Sequence, residues 1–317
     1  MAISNMFGEL GGSGLTSYRA GDSGTEVYLP YLTRYDQDRW TWVNVQNTSL
    51  TETLILIEYS DGYTRTALVP PGAATTFDQR LEPHLETRFS AKVTSDQPVS
   101  AVVVQEGQEK LWSYSGIVSP SISPQVPLIR ANDENYLTQI FVQNLGNTPT
   151  DITIHYLPAQ TGLPCTETQT IPAGDIAIFA EAAFTSGANS DCPAGEAFYG
   201  SGVVTENTTD QPLALVVTLF STENAHADAY TVLNPAEATN SVIIPLLLNS
   251  CGGQYTFFGI QNVGTQTTTV SCVEVGGEYS VTEILAPGTS VITSQQGMLA
   301  CPFPGPAFCT ATGGDAL

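Results

Sequence analysis

One pattern occurs three times along this chain. The copies open LPYLTRYDQDRWTWVNVQN, VPLIRANDENYLTQIFVQN and IPLLLNSCGGQYTFFGIQN, each setting a Gln-Asn pair 16 residues beyond a proline (Pro30 to Gln46, Pro127 to Gln143, Pro245 to Gln261). A chain that repeats one motif at this spacing is constrained to fold as similar units in tandem, each burying its own core. Within the copies apolar residues alternate: Ile152, Ile154 and Tyr156 interleave with Asp151, Thr153 and His155. Period-two alternation is the mark of a strand with one wet face. The same strand reads Thr53 to Tyr59 in the first copy and Thr268 to Val275 in the third.

Turns at Pro71-Gly72, Pro172 to Gly174 and Pro287-Gly288 each lead into another short apolar run. About seven strands per copy predict an all-β chain of three tandem immunoglobulin-like antiparallel β-sandwiches. The expected boundaries are 27–107, 125–222 and 242–317, with 1–26 as an N-terminal strand and linker. Segments around 108–124 and 223–241 are expected to be linkers.

The copies are not equally complete. Two close on matching strands, Asp96-Gln-Pro-Val-Ser-Ala-Val-Val-Val and Asp210-Gln-Pro-Leu-Ala-Leu-Val-Val-Thr, whereas the third reaches Asp315-Ala-Leu317. From Asp96 to the next proline is 31 residues, and from Asp210 it is 35. Counted through Leu317 and on from the N-terminus of another copy, Asp315 to Pro30 is 32. A tyrosine precedes each proline by 12, 13 or 15 residues (Tyr18, Tyr114, Tyr230). The spacing predicts that the third sandwich lacks its last strand and that the N-terminal segment of a neighbour, residues 1–10, supplies it. Met1, Ala2, Ile3, Ser4, Asn5, Met6 and Phe7 are the expected donor, although Asn5 fits an apolar face poorly. Ile243, Ile244, Leu246, Leu248, Phe308, Thr310 and Thr312 are expected to line the acceptor groove. Three apolar side chains filling that seam, at ~1.5–3 kcal/mol each, would recover on the order of 5–9 kcal/mol. A longer covalent array of the same repeats, or a fortuitous N-terminal match, would fit the same arithmetic.

Composition narrows the partners. Asp and Glu number 31 against 9 Lys and Arg, for a net charge of −22, which repels nucleic-acid backbones and anionic lipid. No apolar run approaches the ~18 residues of a membrane helix, and residues 1–10 do not read as a secretory signal. The six cysteines fall as Cys165 and Cys192 in the second copy and Cys251, Cys272, Cys301 and Cys309 in the third. Disulfides within each copy are expected, hence an oxidising, extracellular setting. Three pairings are open in the third copy, with Cys251–Cys301 and Cys272–Cys309 preferred.

Signals of chemistry are sparse. Gly21-Asp22-Ser23-Gly24 matches the nucleophile segment of trypsin-like proteases over four residues. All three histidines (His84, His155, His226) follow it, and it reads as an ordinary turn, so no catalytic residue is assigned. Acidic loops at Asp36 and Asp38 and at Asn132, Asp133, Glu134 and Asn135 could hold structural Ca2+, with solvated turns the simpler reading. Trp40, Trp42 and Trp112 could stack on a glycan. Sequons stand at Asn47 and Asn207, the first within a repeated Gln-Asn pair where a turn role is expected. No cofactor is expected.

The set Ser95-Asp-Gln-Pro-Val-Ser-Ala-Val-Val and Thr209-Asp-Gln-Pro-Leu-Ala-Leu-Val-Val, with Pro-Leu and Val-Gln-Asn before it, resembles the tandem immunoglobulin-like repeats of bacterial cell-surface proteins and extracellular filaments. The resemblance implies a structural or adhesive role at the cell surface and carries no site residues. The functional expectation is a non-enzymatic subunit of an extracellular filament, polymerising head to tail with identical copies by donor-strand complementation. The alternative is a surface adhesin or carbohydrate-binding module, monomeric or in covalent tandem.

Overall fold

The computed structural model describes residues 2–7, 13–18, 22–108, 110–208, 210–223, 226–232, 234–247, 256–276, 279–294 and 305–313. The chain is nearly all β, in several antiparallel sheets. It opens with β1 (Ala2–Phe7) and β2 (Ser13–Tyr18). Next come β3 (Gly24–Thr33), β4 (Arg39–Asn47), β5 (Thr53–Tyr59), β6 (Thr64–Val69), β7 (Ala74–Asp78), β8 (Arg88–Gly107) and β9 (Lys110–Ser115). Then follow β10 (Gln125–Ala131), β11 (Tyr136–Asn144), β12 (Thr150–Thr161), β13 (Cys165–Ile171), β14 (Ile176–Phe179), a short helix α1 (Glu181–Ser186), β15 (Phe198–Glu206), β16 (Leu213–Ser221) and β17 (Ala227–Thr231). The last are β18 (Ser241–Leu247), β19 (Phe257–Gln261), β20 (Thr268–Glu274), β21 (Ser280–Leu285), β22 (Ser290–Ser294) and β23 (Gly305–Thr312).

One strand order recurs. The sheets β10-β15-β12-β13 and β18-β23-β20-β21 have the same connectivity, and each faces a second sheet across an apolar core. In the first third of the chain one 20-residue strand, β8, serves both layers. Its first half pairs with β3 and β5, and its second half with β4 and β9. The change of layer falls at Asp96-Gln97-Pro98, where the Asp96 carboxylate accepts from the Thr53 hydroxyl and the Leu54 N–H. In the second third the same crossing splits β15 from β16, with Asp210 at φ 63°. A register shift interrupts the strand at each repeated proline. The shifts fall between Leu29 and Leu32, between Val126 and Ile129, and between Ile244 and Leu247.

The segments expected as linkers carry strands instead. β9 lies within 108–124 and buries Trp112 and Tyr114 in the first core, and β17 lies within 223–241. Tyr114 and Tyr230 show what the recurring tyrosine does. The Tyr114 hydroxyl donates to the Tyr31 carbonyl at 2.6 Å, as the Tyr230 hydroxyl does to the Leu128 carbonyl, so each ties its strand to the residue after the repeated proline. The cores also touch one another: the Tyr31 and Phe141 rings stack with centroids 3.8 Å apart.

Candidate assembly surfaces

The Gln-Asn pair divides into two jobs. Its asparagine holds a turn in all three copies. Asn144 Nδ2 donates to the Thr148 and Ile171 carbonyls at 2.8 and 3.1 Å, and its Oδ1 accepts from the Gly146 N–H at 2.9 Å. Asn47 makes the equivalent bonds to Thr51, Val69 and Ser49, and Asn262 to Gln266, Leu285 and Gly264. All three are fully buried, so the Asn47 sequon presents no free amide for a glycan.

The glutamine, one residue earlier, points to the other side of its strand, and in the second and third copies it meets the preceding core. Gln143 Nε2 donates to Ser90 Oγ at 3.0 Å. Gln261 Nε2 donates to the carbonyls of Gly202 (3.2 Å) and Gly288 (2.8 Å). Both are buried, whereas Gln46 is exposed. Two residues before each of these buried glutamines, the contact recurs. Phe141 stacks on Tyr31, and a Cβ at Gly259 would stand 2.8 Å from the Pro127 carbonyl oxygen and 3.5 Å from Leu128 Cβ. Glycine is required there by that close backbone approach.

In the third core, β19 pairs with β22, and no described strand lies on its other side. By contrast β4 lies between β7 and β8, and β11 between β14 and β16. The core residues of β4 and β11, Val43, Val45, Ile140 and Val142, are 0% exposed, while Phe258 and Ile260 of β19 are 9% and 8% exposed. The edge that no described strand covers is therefore that of β19, not one of the sheet for which the acceptor groove was expected. Ile243, Leu246, Phe308, Thr310 and Thr312 sit on the outer face of β18 and β23, pointing away from the core. Ile244 alone of the expected groove residues packs against the core, and Leu248 lies outside the described residues. Of the expected donor, Ala2, Ile3, Ser4, Asn5, Met6 and Phe7 form β1, which pairs with β2 in a hairpin; Met1 is outside the described residues. The donor segment is thus not a lone strand, and β2 runs alongside β9 of its own chain.

Disulfides join Cys165 to Cys192 and Cys272 to Cys309; Cys251 and Cys301 lie outside the described residues. Cys165, Cys192 and Asp191 form a cluster of metal-ligand type, but both sulfurs are committed to the disulfide. The acidic loops are held by arginine: Asp36 lies 2.7 Å from Arg88 and 3.3 Å from Arg39, and Asp133 and Glu134 face Arg130. Trp112 is buried, and the Arg80 guanidinium covers Trp40 at 4.8 Å from the ring centroid.

The three histidines lie apart in the fold. His155 is on the wet face of β12 and approaches Thr205, and His226 meets the Tyr136 hydroxyl. His84 was not legible as a buried residue. Its ring nitrogens meet Asp61 Oδ2 at 3.0 Å and Gln79 Oε1 at 2.7 Å, and Phe89 stacks on it at 3.9 Å. Burial holds the His84 pKa below its ordinary value, against the pull of Asp61. Burial pushes Asp61 up, but hydrogen bonds from the Tyr63 and Leu85 N–H groups and from His84 outweigh it and hold the carboxyl below its usual range. With both ring nitrogens engaged by side chains, this cluster ties loops together. A buried carboxyl at Glu167 does the same in the second core, accepting from Tyr156 (2.6 Å), Ala180 N–H (2.8 Å) and Gln169 (2.7 Å).

No protein-family model matches the chain, and no curated protein matches it. A solved structure described as a biofilm associated protein, BSP domain, aligns with 98% of this chain and 62% of its own, at 9% identity and a TM-score of 0.20. A likeness that distant carries no argument about function. No helix among the described residues is long and apolar enough to cross a membrane.

Proposed function

We propose that the chain is a non-enzymatic structural subunit of an extracellular filament, built of three immunoglobulin-like sandwiches joined head to tail by strand donation. The observation that carries this reading is the edge of β19 along which no described strand lies, over a core whose Phe258 and Ile260 are 9% and 8% exposed. Unpaired strand edges are sites of strand addition. In the second core the corresponding place is filled by β16, whose Leu213, Leu215 and Val217 are buried.

The donor in this reading is the hairpin Ala2–Tyr18, which leaves its place beside β9 to enter a neighbour. Hairpins β8–β9 and β16–β17 set Tyr114 opposite Val103 and Tyr230 opposite Val217, and β1–β2 sets Tyr18 opposite Ala2. Each is a pair of antiparallel strands whose second member carries the recurring tyrosine. A hairpin from one copy entering the third core of another is a heterologous contact, which propagates rather than closing. The Cys165–Cys192 and Cys272–Cys309 disulfides suit an oxidising, extracytoplasmic setting.

Deleting residues 2–18 tests the reading. The full chain is expected to form threads by electron microscopy with an axial repeat of roughly 100–130 Å, from about three sandwiches of strand-determined length. The deletion is expected to leave monomers. Threads formed equally well by the deletion would overturn strand donation from this segment.

A further inference from the structure

We infer that the outer face of the third core's four-stranded sheet is a docking surface for the first core of a second copy, which lands on it through Trp42, Asn44 and Gln46. The inference rests on the head-to-tail reading and adds a contact that strand donation does not require.

The docking face is apolar, and no described residue covers it. Ile243 on β18, Phe308 on β23 and Val273 on β20 are neighbours in one cross-strand row, and they are 62%, 49% and 42% exposed. Leu246 extends the patch at 47% exposure. A contiguous exposed apolar patch on a sheet marks an interaction surface more often than chance placement.

What covers it follows from the two junctions already present in the chain. Leu246 is the residue after the repeated proline, as are Tyr31 and Leu128. Tyr31 lies under Phe141 of the second core, and Leu128 lies under Gly259 of the third. At the second junction Val203, the counterpart of Phe308, lies beneath the Pro287-Gly288 turn, where a Cβ on Gly288 would stand 2.7 Å from Val203 Cγ2. The turn at Gly174 makes no such contact at the first junction, so the strand contacts are the recurring element. Each of the first two cores thus receives the next one at the residue after its proline, on the outer face of this sheet; the row is met only in part, since Glu58 and His155, the counterparts of Val273, stay exposed, and the third core presents the same face with no described residue upon it.

The matching half lies at the other end of the chain. Asn44 stands 14 residues after its proline, as Phe141 and Gly259 do, and Gln46 holds the place of Gln143 and Gln261. Trp42 aligns with Gln139 and Phe257. In the second core this face meets the first, with Gln139, Phe141 and Gln143 all buried, whereas in the first core Gln46 is exposed and Asn44 and Trp42 are half-buried. A tryptophan is suited to anchor such a contact.

The chain's own junction fixes the test. Because a Cβ at Gly259 would lie 3.5 Å from Leu128 Cβ, the equivalent pair between copies, Asn44 and Leu246, falls within disulfide reach. Asn44→Cys/Leu246→Cys is expected to give a ladder of covalent multimers on a non-reducing gel after mild oxidation. A mixture of Asn44→Cys alone and Leu246→Cys alone is expected to give a covalent dimer that neither gives by itself. No ladder from a double variant that still forms threads by electron microscopy would overturn this docking and leave strand donation standing. No ladder, together with no threads from the unsubstituted chain, would overturn both. A dimer from either single variant would mean a symmetric contact and would overturn the docking as well.

Discussion

Replacing Asn144 by alanine should destabilise the second core severely. The substitution strips the Thr148 and Ile171 carbonyls, and the more distant Pro172 carbonyl at 3.3 Å, of the Asn144 donor and leaves the Gly146 N–H without its acceptor, all around a side chain with no solvent access. At about 1 kcal/mol net for each of the three shorter bonds, the loss is about 3 kcal/mol, and more if the stranded groups stay dry. Against a domain stability of roughly 5–15 kcal/mol this is a large fraction. For a core of this size it corresponds to a fall in melting temperature on the order of 10–20 °C. Scanning calorimetry of the full chain is the suitable assay, because three cores need not melt together. Gln143→Ala, which removes one bond to Ser90, serves as the control and should cost about 1 kcal/mol. A shift below about 1 kcal/mol for Asn144→Ala would refute the idea that this asparagine organises the turn.

Three other outcomes can be checked. Replacing Cys165 and Cys192 by serine opens a cross-link between residues 27 apart and should destabilise the second core by roughly 3–4 kcal/mol, read as a lowered urea midpoint. His84 titrates below its ordinary value of 6.5 when folded, so the unfolded chain takes up the proton first as the pH drops. Stability should accordingly fall as pH is lowered from about 7 to about 5, and His84→Gln should flatten that slope; an unchanged slope would contradict the assignment. Glu167 is raised by burial, so the folded chain holds its proton more tightly and its unfavourable contribution grows as pH rises above the ordinary carboxylate range. Glu167→Gln should make the second core's melting temperature less dependent on pH between about 4 and 7.

Strands, turns and the recurring Gln-Asn pair could be read from the chain alone, because alternation and turn residues act over a few positions. Thr53 to Tyr59 and Asp151 to Tyr156 were legible for that reason. The spacing of prolines, tyrosines and Asp-Gln-Pro segments is likewise a property of the chain alone, and it sets the expectation that the third copy is short of a strand. Which sheet has the open edge depends on packing. Alternation separates two faces without saying which is inside, and the shift between Ile244 and Leu247 reverses the faces within one strand. Ile243, Leu246 and Phe308 therefore read as groove residues in sequence and lie on the outer face in space. The same limit hid the second job of the repeated pair. Gln46, Gln143 and Gln261 are alike in sequence, and only the packing of one core on the next buries two of them and leaves the first exposed.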